Sequence, residues 1–228
     1  AGALQISYRP AFIAADEDAR EPASVLHIYD PIENSFEQIS YNLSHDINPT
    51  VTATGEIVFT RWDNGPGGID RWSLYKINPS GRQLSLLYGF HSHDTDPNLS
   101  IEFTQAREME DGRLLSIVRP VQSQTLGGDI LLIDSNGFVE HNQPIWTNQG
   151  TGGTAQTSLT NTNIQIDDPL SPGGQYNSAY PLRDGTGRLL VSWSPCRATE
   201  QDLTDGRFLD DDPNNDPEFT ILPCIIAP

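Results

Sequence analysis

Lysine and methionine are almost missing from this chain: Lys76 and Met109 are the sole examples in 228 residues. Basic residues number 13 against 31 acidic ones, a formal charge of −18. A surface of that sign repels nucleic-acid phosphates and anionic lipid headgroups, which argues against both as partners. It favours solubility, cations and basic partners. No apolar run approaches the ~20 residues that a membrane-spanning helix needs. The two cysteines, Cys196 and Cys224, stand in neither Cys-x-x-Cys nor Cys-x-x-Cys-His, so no redox pair or c-type haem attachment is encoded. A Gly-x-Ser-x-Gly elbow, a phosphate loop and His-Glu-x-x-His are also missing, which leaves signatures of catalysis thin.

What the chain does contain is repetition. An apolar phrase occurs four times, about 50 to 75 residues apart: Ile6-Ser7-Tyr8-Arg9-Pro10, Val58-Phe59-Thr60-Arg61-Trp62, Ser116-Ile117-Val118-Arg119-Pro120 and Val191-Ser192-Trp193-Ser194-Pro195. Around each phrase the order is alike. A strand ends in a glycine turn, the apolar strand follows, then a polar or glycine-rich loop, then a strand of the type Trp72-Ser73-Leu74-Tyr75-Lys76-Ile77, a second turn and a closing strand. Gly (19) and Pro (17) supply the turns. Four short antiparallel strands per unit describe a propeller blade, which must stack on its neighbours to bury both faces.

The expected fold is therefore all-β: a β-propeller of four-stranded antiparallel blades, three to four of them within residues 1–195. Inner strands are expected near 4–9, 57–62, 114–119 and 189–194. That number sits at the lower edge of what closes a ring of ~4 to 8 blades. The chain therefore reads as part of a larger propeller, completed by further chain or another subunit. Asp63 to Gly68 and Thr147 to Gly174 read as loops. Residues 196–228 read as an acidic loop and tail. A disulfide between Cys196 and Cys224 would staple that tail and imply an oxidising compartment; the alternative is two free thiols. No leader precedes the first strand, so the chain is expected to be a mature product or a fragment.

The phrases Asn48-Pro49-x-Val51-x-x-x-Gly55-x-Ile57-Val58-Phe59-Thr60 and Asp111-Gly112-Arg113-Leu114-Leu115-Ser116 resemble TolB-type bacterial propeller repeats. Arg61-Trp62-Asp63, Trp72 to Pro79, His91-Ser92-His93-Asp94 and Gly187 to Ser194 are similar to propeller proteins of the hydrazine synthase alpha subunit type. The resemblance implies a bacterial protein that is periplasmic, on the cell surface or extracellular. It implies no haem chemistry here, since the haem motifs are not present.

Candidate sites are few. His91, His93, Asp94 and Asp96 form the densest ligand cluster, and two His at i and i+2 on an extended chain share a side, which suits a transition metal. His45-Asp46 holds a comparable place one unit earlier. The alternative is that these residues brace the crossing between blades. Asp210, Asp212, Asn214 and Asp216 alternate like a calcium loop, although Pro213 and Asn215 replace the glycine turn and Ile221 stands where a Glu is expected. The alternative there is a solvated acidic loop. Asp63 and Asp70 are placed on an exposed loop. Asn42 and Asn98 match the glycan acceptor pattern. The expected function is a non-catalytic exported scaffold for a protein, glycan or cation. The alternatives are a glycosidase-like hydrolase with axial acids drawn from Asp63, Glu102 and Asp184, or the propeller portion of a larger redox protein.

Overall fold

The computed structural model describes residues 15–17, 21–65, 69–96, 99–121, 123, 126–160, 164–166, 171–199 and 221–223. The strand expected near 4–9 lies outside the described residues. Among those described there is no α-helix, and one 3-10 turn occurs at Trp146–Asn148. Every strand pairing among the described residues is antiparallel.

A hairpin of β1 (His27–Asp30) and β2 (Ser35–Gln38) comes first. Next is a four-stranded meander of β3 (His45–Val51), β4 (Ile57–Gly65), β5 (Ile69–Ile77) and β6 (Ser85–Tyr88), hereafter sheet A. Then come β7 (Asp94–Asp96), β8 (Leu99–Glu108), β9 (Leu114–Pro120) and β10 (Asp129–Ile133). A small hairpin follows, β11 (Phe138–Glu140) with β12 (Gln143–Pro144). β13 (Gln156–Ser158) returns to β10 and completes sheet B in the order β13-β10-β9-β8-β7. β14 (Gln175–Pro181) and β15 (Leu189–Ser194) form a two-stranded sheet. β16 (Arg197–Thr199) pairs with β17 (Ile221–Pro223).

One turn design recurs. At Thr52–Glu56, Asn78–Arg82 and Met109–Arg113 the first amide donates to the fifth carbonyl, and the fourth-position glycine amide donates to the first carbonyl. That glycine has φ of +83° at Gly55 and +82° at Gly112, a left-handed conformation that only glycine enters without steric cost. The strand before β4 and the strand before β9 also bulge at matching places, at Asn48 (φ 52°) in β3 and at Gln105 (φ 52°) in β8. A bulge adds local twist.

Alternation along β4 sends its side chains to two different cores. Ile57 and Phe59 pack with Ile77 against Leu26 and Ile39 on the hairpin side. Val58 packs with Leu74 against Ile101, Phe103 and Ala106 of β8. The Thr60 hydroxyl donates to the Phe103 carbonyl at 2.9 Å and ties the two sheets together. Sheet B repeats the scheme, with Val118 facing sheet A and Leu115, Ile117 and Ile130 packing on Ala179 of β14. The layers thus stack in chain order: β1–β2, sheet A, sheet B, β14–β15.

Three expectations are corrected. Asp63, Asn64 and Gly65 are strand rather than loop, because the β4–β5 ladder runs on to Gly65↔Ile69. Residues 147–174 are not one long loop, because Gln156–Ser158 is the edge strand of sheet B. β15 shares the apolar phrase of β4 and β9 but not their burial: Leu190 is 65% and Trp193 49% exposed.

Phe103 sits at the centre of the stack, fully buried and edge-on to the rings of Tyr88 and His93. Phe103→Ala is expected to cost about 3–5 kcal/mol in urea titrations, whereas Leu190→Ala should cost about 0.5 kcal/mol or less. Equal costs at the two positions would refute the burial pattern.

Candidate functional site

The fourth residue of the repeated phrase has a partner that the register reveals. Arg61 lies opposite Asp46 and Arg119 opposite Glu102. Arg61 grips Asp46 through Nε–Oδ1 at 2.7 Å and Nη2–Oδ2 at 3.1 Å, while its guanidinium covers the Tyr75 ring at 4.6 Å. Asn42 Nδ2 adds a hydrogen bond to Asp46 Oδ2 at 2.7 Å. Arg119 Nε likewise binds Glu102. Burial pushes the Glu102 carboxyl above its usual range and Arg119 opposes that push. In the fourth occurrence Ser194 faces Gln175, so the ion pair is replaced by neutral groups.

Beside the Arg61 pair lies the densest group of ionisable side chains among the described residues. Residues 15–17 and 21–24 cover one end of sheet A, held by the Ala15↔Pro22 bridge and by the amides of Asp16 and Asp46 on Glu21 O and Ser24 O. Asp16, Glu21 and His45 each bring one ligand atom within 4.8 Å of the others. Asp16 and His45 are buried, and Glu21 is exposed. His45 stacks on Trp62, which stacks on Trp72.

The Ser24 amide donates to His45 Nδ1 at 3.3 Å, so that nitrogen is an acceptor and the ring proton is on Nε2. Nε2 then faces Asp16 Oδ2 at 3.4 Å as a donor. Metal ligation through Nε2 would put the proton on Nδ1, against the Ser24 N–H. His45 is therefore a brace between the covering segment and the sheet, and oxygen atoms are the cluster's available ligands.

Ser44, the residue before His45, donates to both Glu17 Oε1 (3.0 Å) and Asp63 Oδ1 (2.8 Å). One hydroxyl proton cannot serve two carboxylates fully. Burial is the main cause that raises the Asp63 carboxyl above its ordinary value, and the nearby charges of Glu17 and Asp46 add to it, against the pull of Ser44 and Arg61. A protonated Asp63 can donate to Ser44, which then donates to Glu17.

His93 repeats the role of His45 one unit on. It is 1% exposed, and its Nε2 accepts the Trp72 amide at 2.9 Å. Ser92, like Ser44, binds a carboxylate from another segment, Glu140 Oε2 at 2.5 Å. His91 is exposed in a turn and its amide donates to the same Glu140 oxygen, so the extended i, i+2 geometry expected of His91 and His93 is not formed. Asp94 and Asp96 belong to β7. Asp70 lies on β5 and accepts from Trp62 Nε1 at 2.8 Å. Asp184 occupies the β14–β15 turn with Arg188, and its neighbour Gly185 donates to Glu110 beyond the end of β8. Glu102 lies six positions back along β8 from Glu108, so Asp184 and Glu102 are separated by about 15–20 Å of strand. Asp184 and Glu102 therefore do not converge, and Asp63 is engaged with Ser44 in sheet A. Asp210, Asp212, Asn214, Asp216 and Asn98 lie outside the described residues. Cys196 is disulfide-bonded. Its neighbour Arg197 pairs with Pro223, the residue before Cys224, which itself lies outside the described residues.

Asp16, Glu17, Glu21, Ser44 and Asn64 were not singled out from the sequence. The available signal was the recurrence of Ser-His-Asp at 44–46 and 92–94, which marks both buried braces.

No protein-family model matches the chain, and no curated protein does. Among solved structures the chain is similar to a chain of Kuenenia stuttgartiensis hydrazine synthase, at 21% identity and a TM-score of 0.53. The match covers 79% of this chain and 23% of that one, and at this identity it speaks for the fold alone.

Because the folded Asp63 holds its proton more tightly than the unfolded chain does, its contribution to stability is largest below the unfolded pKa, near the ordinary 3.8, and falls as pH rises through the folded value. Asp63→Asn keeps the shape without the charge. It is expected to be more stable than the parent at about pH 7 in urea titrations, with the gap closing near about pH 4. Parallel stability curves for the two proteins would show that Asp63 titrates normally.

Proposed function

We propose that this chain is a run of β-propeller blades that acts as a non-catalytic binding and assembly scaffold in an exported, oxidising compartment. One observation carries the reading. β15 has the apolar phrase of strands covered on both faces, yet only one of its faces is covered: Leu189 packs towards sheet B, while Leu190, on the opposite face, remains open at 65% exposure. Its cross-strand partner Tyr180 is exposed as well, and so is Leu182 two residues on. The open face continues a stack whose every earlier step is sheet on sheet, and its fitting occupant is another sheet of the same type. A monomer rarely leaves such a contiguous apolar patch without a use.

Two further facts support the proposal. The disulfide at Cys196 suits an oxidising location. The separation of Asp184 from Glu102 argues against a glycosidase built on those acids, since paired catalytic carboxyls stand ~5 to 10 Å apart. The fold likeness to a hydrazine synthase chain agrees with a propeller, and the TolB-type phrases belong to this same reading.

Sedimentation velocity on the 228-residue chain provides the test. The parent is expected to self-associate with rising concentration, and Leu190→Asp with Tyr180→Asp, both at exposed positions on that face, should leave a folded monomer. A parent that stays monomeric throughout and matches the variant would overturn the assembly role.

A further inference from the structure

In sheets A and B the strand that carries the apolar phrase is paired along both edges: β4 lies between β3 and β5, and β9 between β8 and β10. β15 carries the same phrase, but among the described residues its ladder has one partner, β14. The chain turns away from the second edge. Pro195 and the disulfide-bonded Cys196 follow β15 at once, and β16 then pairs with β17 instead. The ladder shows which groups that edge presents. Leu182 N–H donates to Arg188 O at 3.0 Å, which makes these two a hydrogen-bonded pair. Alternation along antiparallel strands then turns the N–H and C=O of Leu190 towards Tyr180, and those of Leu189 and Val191 away from β14. The Trp193 ring leans the other way, over Gly173 and Gly174 just before β14, with Nε1 donating to Gly173 O at 2.9 Å.

An open edge is a template for another strand, and folded proteins blunt the edges they expose. The edges of sheets A and B and the far edge of β14 are blunted. β3 carries Pro49 and a bulge at Asn48. β7 is Asp-Thr-Asp, β13 has three residues and β6 has four. β14 has Pro181, a bulge between Tyr176 and Ser178, and a bridge to Gly128. β15 has none of these devices. Leu-Leu-Val-Ser-Trp-Ser runs for six residues without charge or proline, and it is exposed from Leu190 onward.

We propose that the free edge of β15 pairs, antiparallel and about a two-fold axis, with β15 of a second copy of this chain. Two observations choose that occupant. Of these edges, a second copy offers one that is open, its own β15. Charge selects the same contact, because chains of −18 repel and like surfaces meet best where they are neutral. β15 has no charged residue, and Asp184 and Arg188 bond to each other at the adjoining turn. With Val191 opposite Val191, the outward N–H and C=O groups of both strands align and Leu190 of both copies lies on one face. The joined sheet has four strands, the width of sheet A. Six residues a side make a small interface, of the weak and concentration-dependent class. The pairing rests on the assembly reading and specifies its geometry: an edge joined through backbone, distinct from the face of Leu190 and Tyr180.

Amide exchange followed by NMR, alongside sedimentation of the full chain, tests the pairing. As the parent associates, the Leu189 and Val191 amides are expected to slow by about tenfold or more, while the Leu190 amide, already bonded to Tyr180, changes little. Val191→Pro removes an outward donor that β14 does not use, and it should leave a folded monomer. Val191→Cys should be captured as a dimer by a short thiol crosslinker, whereas Thr147→Cys, exposed in the turn after β12, should not. Exchange and crosslinking need no proline, so they decide the matter if that variant does not fold. Association of the parent with both amides unchanged would overturn the edge pairing and leave assembly through the face. Slow exchange of both at every concentration would put a segment of the same chain at the edge, which also overturns the pairing. A parent that stays monomeric would overturn the pairing and the assembly reading together.

Discussion

A strand covered on both faces must send successive side chains into different cores, and the rest of this architecture depends on that constraint. β4 meets it with Ile57 and Phe59 on one side and Val58 and Leu74 of the neighbouring strand on the other. β9 meets it with Leu115 and Ile117 against Val118. Neither sheet has an indifferent face, so a slip of one residue would exchange two cores at once. The tight glycine turns and the bulges at Asn48 and Gln105 serve this end by fixing the register on either side of the doubly covered strand.

The polar groups at the end of each sheet follow from the same constraint. Double cover stops where the phrase reaches its arginine, and there the backbone still has to join one layer to the next. Arg61–Asp46 and Arg119–Glu102 close the ladder across the strands, while Ser44–His45 and Ser92–His93 close it between segments. Each imidazole accepts a backbone amide, Ser24 for His45 and Trp72 for His93. A histidine whose lone pair is used in this way is fixed in one tautomer and is poorly suited to act as a general base. Of the two readings open for these histidines, a metal site or a brace between blades, the contacts of His45 and His93 fit the brace.

Much of the fold was legible because two-sided burial writes itself into the sequence as an apolar run bounded by turn glycines. Val58, Ile117 and Leu190 all fall on strands where the phrase places them. β13 escaped because Gln156-Thr157-Ser158 is an edge strand with no buried apolar residue to mark it. Asp63 and Asn64 were misread because the glycines after them imply a loop, whereas cross-strand partners Arg71 and Asp70 carry the ladder past that point. The exposure of β15 was hidden for the opposite reason: its sequence specifies burial, and whether a covering sheet is present is not a property of the strand itself. The site was least legible of all. Asp16 and Asn64 are 48 positions apart, and only the folded chain puts their side chains in contact.

The carboxyl groups around Ser44 show why burial does not by itself hold such a cluster together. Charges of one sign gathered under partial cover oppose folding, and a buried group that must ionise alone raises its own pKa instead. Asp63 shows this cost directly, since its desolvation outweighs the help of Ser44 and Arg61. A neutral side chain in its place would relieve the repulsion from Glu17 and Asp46 and satisfy Ser44. The Arg61–Asp46 pair a few ångströms away is different, because there the charges match and the aromatic walls of Tyr75 and Phe59 cover them. The two arrangements share one end of one sheet, yet one is electrically closed and the other open.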